Sequence, residues 1–360
     1  MKILMLSWRD IKNPKAGGAE VVTYELLRRW AKKGHDCTWF SSAFKGSLQH
    51  QSIDGINVIR KGSPLGVYWQ GFRYLKNNKF DIVIDQINTI PFFTPLFYKG
   101  RKIAFFHQLC EKVWFYETIF PISYIGYFAE KVYLKLYRDV PSIVVSDSTK
   151  KSLENYRFKD IFVMQDCIDT EPLKELPVKK ENLLIFVGRL KKSKRVHDAI
   201  EAFRLVHKKI PSSVLHIVGR GDKGYEKYLK KLSTDLPVVF HGFVSREKRN
   251  DLMKDAEAIL VTSVKEGWGL IVVEANAFGT PAIVYDVDGL RDSVKNNRTG
   301  LIAARNTPKA LSDSAIEFLL GTQLKKKLSS NALVYSKLFG WEESSDEVLE
   351  FVESVLRGKN

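Results

Sequence analysis

The chain has 360 residues, 44% hydrophobic and 27% charged, enough for two ordinary cores and too many for one small domain. Its formal net charge is +16, and the excess is not confined to a tail: 25 Lys/Arg face 16 Asp/Glu up to residue 170, and 32 face 25 beyond it. Such a surface suits phosphorylated small molecules, anionic lipid or nucleic acid, while three widely spaced cysteines, Cys37, Cys110 and Cys167, argue against a disulfide framework or a zinc site and fit a reducing compartment.

The start, MKILMLSWRD, has too short an apolar run for a signal peptide. No stretch approaches the length of a transmembrane helix, so a cytoplasmic protein is expected. KILMLS (2–7) reads as a buried strand. Residues 19–33 read as a helix with Val22, Leu26, Leu27 and Trp30 on one face. CTWF (37–40), DIVID (81–85), KIAFF (102–106) and SIVVS (142–146) read as further strands. The alternation predicts a parallel sheet covered by helices. Near residue 170 the texture changes, and the polar segment TEPLKELPVKKEN reads as a linker. The pattern then restarts with LLIFVG (183–188), a helix from about Val196 to Lys208, VLHIVG (214–219), VVFHG (238–242), EAILVTS (257–263) and PAIVY (281–285).

Two successive βα halves predict an α/β protein of two doubly wound, Rossmann-like domains facing a central cleft. The expected division is residues 1–170, 171–338, and a C-terminal helix over 339–360 that returns to the first domain. That helix offers Val348, Leu349, Val352 and Val355 for burial.

Four stretches carry candidate chemistry. In 14-PKAGGAEVV-22, adjacent Gly17 and Gly18 open a helix whose free N–H groups favour an anion; an ordinary βα turn explains them equally well. GxGxxG is absent, so this is no dinucleotide fingerprint. In 187-VGRLKKSKRVHDAIEAF-203, Arg189, Lys194 and Arg195 follow a strand and suit a diphosphate; a solvated basic loop is the plainer reading. In 218-VGRGDKGYEKYL-229, the turn at Gly219 can cradle a base or ribose, or can simply be a turn capped by Asp222. In 266-EGWGLIVVE-274, Glu266 stands at a loop mouth. A helix is expected from about Leu270 to Phe278, placing Glu274 about two turns inside it. Two carboxylates so placed can accept hydroxyl hydrogen bonds from one ligand.

In this order, the motifs resemble the retaining family-4 glycosyltransferases of the GT-B fold. The resemblance extends through 145-VSDSTKKSL-153, 275-ANAFGTPAIVYDVDGLRDSV-294 and 300-GLI-302, and so covers nearly the whole chain. It implies roles residue by residue. Arg189 and Lys194 would bind the nucleotide-sugar diphosphate and offset charge on the leaving group; Arg195 and Gly219 are expected beside the donor from their positions after strands alone. Glu274 would hold the ribose. Glu266 would contact the donor sugar, next to the backbone of Trp268, Gly269 and Leu270. Gly17 and Gly18 would approach the phosphates and acceptor, and His107 would reach the sugar. The stretch 164-MQDCID-169 departs from the Pro-Asn-Gly-Val/Ile-Asp common in the family, and Trp268 stands where Phe is usual.

The resemblance implies a hexosyltransferase of class EC 2.4 that retains anomeric configuration and needs neither metal nor cofactor. The donor is expected to be UDP- or GDP-linked, and the acceptor a glycan or a lipid-linked molecule. The DxD at Asp286 and Asp288 is expected to be structural. Residues 105–138 interleave aromatics with Lys112, Lys131, Lys135 and Arg138, suggesting an anionic membrane surface as a further partner; a packed helical cap is the competing explanation. HQLCEKVWFYE resembles enzymes of polysaccharide or glycoconjugate assembly. A same-fold phosphorylase or epimerase, and a basic nucleic-acid- or ligand-binding protein, are the alternative functions. No nucleic-acid-binding module is recognisable, so no nucleic-acid partner is expected.

Overall fold

The computed structural model describes residues 1–358. The chain divides into two compact units. Unit 1 comprises Met1–Glu111, Tyr124–Cys167 and the segment from Gly340 onward; unit 2 comprises Lys112–Ser123 and Ile168–Phe339.

Unit 1 is built on eight strands: β1 (Lys2–Leu6), β2 (Asp36–Ser41), β3 (His50–Ile53), β4 (Ile56–Arg60), β5 (Ile82–Ile87), β6 (Lys102–Phe106), β7 (Ser142–Val144) and β8 (Ile161–Val163). Their order in the sheet is β3-β4-β2-β1-β5-β6-β7-β8. Every pairing is parallel except β3 with β4. Ile3, Leu4, Met5 and Leu6 are all buried, because helices cover both faces and β1 is apolar throughout rather than alternating. The β3–β4 hairpin, absent from the sequence reading, turns through Asp54 and Gly55 at φ 48° and 82°. Positive φ at both central residues is what a two-residue hairpin requires, and Asp-Gly supplies it.

The helix Gly18–Lys32 buries Val22, Leu26, Leu27 and Trp30. Trp30 Nε1 donates to the Ser345 carbonyl at 3.2 Å, which fixes the helix Trp341–Arg357 on unit 1. The four apolar residues singled out there, Val348, Leu349, Val352 and Val355, are all buried. Asp10 and Arg60, both fully buried, form a two-pronged ion pair at 2.7 and 2.8 Å, and Ser41 Oγ donates to Asp10 at 2.8 Å. The loop after β1 is thereby tied to β2 and β4.

Unit 2 has six strands: β9 (Leu183–Val187), β10 (Val214–Val218), β11 (Val238–Gly242), β12 (Ala258–Val261), β13 (Ala282–Val284) and β14 (Gly300–Ile302). They run in the order β11-β10-β9-β12-β13-β14, all parallel. Chain order reverses between β9 and β12, so the loops leaving these two strands splay apart at their carboxyl ends. That is the position at which open α/β sheets bind ligands.

Two features differ from the sequence-based division. The segment Lys112–Ser123 groups with unit 2 because Glu117 accepts hydrogen bonds from Lys191 Nζ and Ser193 Oγ. The stretch read as a linker is tied down. Lys179 Nζ donates to the carbonyls of Lys254 (2.9 Å) and Phe278 (2.8 Å) and to Thr280 Oγ1 (2.5 Å), and burial lowers its pKa to about 7.

In the divergent MQDCID stretch, Asp166 is 4% exposed and its Oδ1 has no hydrogen-bond partner among the described residues. Burial pushes its carboxyl up to about 8, whereas an unfolded Asp ionises near 4. Between those values the folded chain holds a proton that the unfolded chain has lost, so stability falls as pH rises from about 4 to about 8. Asp166→Asn is expected to stabilise the protein by roughly 2–4 kcal/mol at pH 8 and far less at pH 5, as read by urea denaturation at both values. An equal effect at the two pH values would refute a protonated Asp166.

Candidate functional site

In unit 2 the loops after β9 and β12 are bonded to each other. Val264 N–H donates to the Ser193 carbonyl at 2.8 Å, and Thr262 Oγ1 donates to the carbonyls of Lys194 and Arg195 at 2.8 and 2.9 Å. This backbone clamp sets the Lys194 side chain against Glu266, with which it forms an ion pair. Ser263 Oγ donates to the same Glu266 oxygen at 2.6 Å. The Glu266 N–H bonds the Asp288 carbonyl at 3.1 Å, and a Cβ at Gly289 would meet the Glu266 carbonyl oxygen at 2.4 Å. Only glycine lets the two loops approach this closely. Arg189 is exposed and makes no ion pair among the described residues. Arg189 and Lys194 therefore supply positive charge at the carboxyl end of β9, and Glu266 supplies the acceptor.

Arg195 faces elsewhere. It pairs with Asp198 at 2.6 Å and lies 5.1 Å from the centre of the Tyr285 ring, while Tyr285 donates to Asp198 at 2.7 Å. Its contacts hold the start of the helix Val196–Lys209. Gly219 likewise has a packing reason: a Cβ there would lie 1.8 Å from the Gly188 carbonyl oxygen.

The helix after the Glu266 loop spans Leu270–Asn276, shorter than expected, and Glu274 stands in its second turn. Gly269, at φ 94°, starts this helix in the left-handed region, where a side chain would be strained. Trp268 packs its ring 5.8 Å from Phe339 and anchors the loop, and Leu270 packs in the same cluster. Glu274 accepts from Arg249 at 3.0 Å. Burial raises the Glu274 pKa, and the Arg249 charge opposes the rise. Asp286 and Asp288 both pair with Arg291, at 2.7 and 3.1 Å, and Asp288 also pairs with Lys265 at 3.4 Å. Cations of the chain thus engage both carboxylates of the DxD.

Thr262, Ser263, Arg249 and Glu117 were missed from sequence. The Thr-Ser pair ending EAILVTS was the legible signal, since polar residues at the carboxyl end of a central strand border the ligand position. Nothing local marks Arg249 or Glu117.

In unit 1, Gly17 N–H donates to Glu20 Oε2 at 2.6 Å, and Arg9 Nε reaches Glu20 Oε1 at 3.2 Å. The chain's own carboxylate therefore takes the Gly17 donor at the start of the helix that includes Gly18. His107 follows β6, is 7% exposed and lies 4.3 Å from the Phe105 ring centre. The Gln86 amide nitrogen approaches His107 Nε2 at 2.6 Å and Thr23 Oγ1 at 2.5 Å. With Gln86 donating, the imidazole keeps its proton on Nδ1. Burial lowers the His107 pKa to about 3, so it is neutral throughout the physiological range. Nitrogen NMR is expected to show a neutral Nδ1–H tautomer that does not titrate between pH 5 and 8. A midpoint near 6.5 would contradict the buried geometry.

Comparison with known proteins adds to this geometry. A family model described as Glycosyltransferase Family 4 matches residues 16–172, and one described as Glycosyl transferases group 1 matches residues 168–334. An uncharacterized glycosyltransferase of Methanocaldococcus jannaschii is 30% identical over 175 residues, 47% of this chain and 44% of its own length. The N-acetyl-alpha-D-glucosaminyl L-malate synthase of Bacillus anthracis is 24% identical over 200 residues, 55% of this chain and 51% of its own. The chain spans about half the length of the curated relatives it matches. Among solved structures, sucrose-phosphate synthase from Thermosynechococcus elongatus superposes with a TM-score of 0.80 at 18% identity, covering 99% of both chains. WaaG, a glycosyltransferase involved in lipopolysaccharide biosynthesis, gives 0.77 at 18% identity, covering 97% of this chain and 99% of its own. With two successive family models spanning residues 16–334 and this α/β architecture, the chain belongs to the family-4 glycosyltransferases and has the GT-B fold.

Proposed function

We propose that the protein is a retaining glycosyltransferase that moves a hexose from a nucleoside-diphosphate sugar to a glycan or lipid-linked acceptor. The observation that carries this reading is the Lys194–Glu266 pair, held by Thr262 and Ser263 at the carboxyl ends of β9 and β12. A nucleoside-diphosphate sugar presents a dianionic diphosphate followed by a ring of hydroxyls. Arg189 and Lys194 answer the first chemical feature, and Glu266 answers the second. Glu274, oriented by Arg249, would accept from ribose hydroxyls. The backbone of Trp268, Gly269 and Leu270 would line the sugar.

In the chemistry, the anomeric C–O bond to the diphosphate breaks and negative charge grows on the departing phosphate oxygen. Arg189 and Lys194 would stabilise that charge without a metal. The acceptor oxygen bonds to the anomeric carbon on the face the diphosphate leaves, and the phosphate takes the acceptor's proton. In unit 1, neutral His107 would serve the acceptor as a hydrogen-bond donor rather than a general acid, and the Gly17–Gly18 turn would meet the acceptor. UDP is the donor nucleotide to test first: the Anabaena HepE neighbour was solved in complex with UDP-glucose.

The experiment is a thermal-shift screen with UDP-, GDP- and ADP-sugars, followed by product analysis. One nucleotide class should stabilise the wild type by about 2.7 kcal/mol at a hundredfold excess over Kd, with the gain lost in Glu274→Ala and unaffected by EDTA. Lys194→Ala should lower kcat by roughly 10²–10³, and the product should keep the donor's anomeric configuration. Folded protein that no nucleotide stabilises, or an inverted product, would overturn the reading.

A further inference from the structure

The helix Ile122–Tyr137 has two faces of unusual character. Its inner face buries Tyr133, Leu134 and Tyr137 against Phe106, Val144 and Phe158, and Tyr137 donates to the buried Asp85 at 2.5 Å. Its outer face is also apolar. Ile125 is 63% exposed, Phe128 58% and Val132 64%, and Ile122 and Leu136 extend the same stripe at helical spacing. A solvated helix would carry charge there.

Charge on this face has one sign. From Thr118 to Arg138 the sole carboxylate is Glu130; it is buried and accepts the Cys110 and Glu111 N–H groups at 2.7 and 2.6 Å. Lys131 sits 4.2 Å from the centre of the Tyr127 ring, and Lys135 is exposed with no ion pair among the described residues. At 1.5 Å per residue the helix is about 24 Å long, and no helix among the described residues is long and apolar enough to cross a membrane.

The geometry points to the outer face of the helix Ile122–Tyr137 as a docking surface for an anionic lipid bilayer, lying in the plane of the interface. Aliphatic and aromatic side chains would enter the headgroup–acyl boundary while Lys131 and Lys135 meet lipid phosphates. A second copy of this chain fits less well, because pairing two such faces brings lysines toward lysines, and the neighbouring carboxylate, Asp139, already pairs with Arg138 and Lys159. As a statement of where the acceptor is met, this rests on the transferase reading above. As a statement of binding, it needs no donor.

The test is co-sedimentation of the full chain with vesicles of phosphatidylcholine, with and without phosphatidylglycerol, in the absence of nucleotide sugar. Wild type should bind the anionic vesicles, and bind them less as salt rises. Ile125→Glu with Val132→Glu should reduce the bound fraction at least tenfold while leaving the melting temperature and nucleotide-sugar thermal shift unchanged. Lys131→Glu with Lys135→Glu should remove the preference for anionic lipid. Hydrogen exchange on unmutated protein should show the helix protected by vesicles. No wild-type binding, equal binding by the double glutamate variant, or a dimer by light scattering that this variant dissolves would each overturn the proposal. A failed nucleotide screen alongside intact vesicle binding would overturn the transferase reading alone.

Discussion

Unit 2 depends on a close approach of main chain to main chain. Beyond the ends of β9 and β10 the two chains stay in register: Gly188 N–H bonds the Val218 carbonyl at 3.0 Å, and Leu190 N–H bonds the Arg220 carbonyl at 2.8 Å. A Cβ at Gly221 would lie 2.0 Å from the Leu190 carbonyl oxygen, so no side chain can separate the strands there. The β9–β10 ladder thus extends into what would otherwise be two loose loops. The stretch from Arg189 to Arg195 inherits the rigidity of a sheet. Cations on a rigid backbone can oppose a developing charge without first reorganising, which is how fixed dipoles and charges gain their effect.

On that frame, hydrogen bonds settle which of the basic residues point where. Thr262 holds the Lys194 and Arg195 carbonyls together, yet the two side chains diverge, Lys194 to Glu266 and Arg195 to Asp198. Unit 1 shows a parallel division of labour. The glycine turn before its first helix has its Gly17 donor taken by Glu20, while buried Gln86, which also bonds Thr23, meets one edge of His107. In unit 2, two adjacent basic residues thus point in different directions because their partners differ.

The strands legible in sequence were those whose side chains are apolar on both faces, such as KILML and LLIFV. The missed ones have other signatures. β3, HQSI, lies at a sheet edge and is half polar, so no apolar run announces it, although the Asp54-Gly55 turn beside it does. β8 and β14 are three-residue strands at the edges of their sheets, whereas the equally short β7 and β13 lie inside and are buried throughout. The Glu266 and Glu274 positions were readable because a loop and helix of fixed length separate them. For Arg195, sequence gives charge and not direction. Its partners Asp198, three residues on, and Tyr285, ninety residues on, decide the direction. Glu117, Arg249 and Lys179 act through contacts across long sequence separations, and no local pattern encodes those.

Because Lys194 leans on Glu266, the pair would discriminate among anions if it binds the donor as proposed. A bare phosphate that draws Lys194 away leaves Glu266 facing it without a counterion, and like-charge repulsion then works against occupancy. An anion that carries hydroxyl donors a few ångströms further on replaces what the carboxylate has lost. Under the proposed function, the carboxylate would favour an anion that carries a polyol over a bare phosphate at this corner of unit 2.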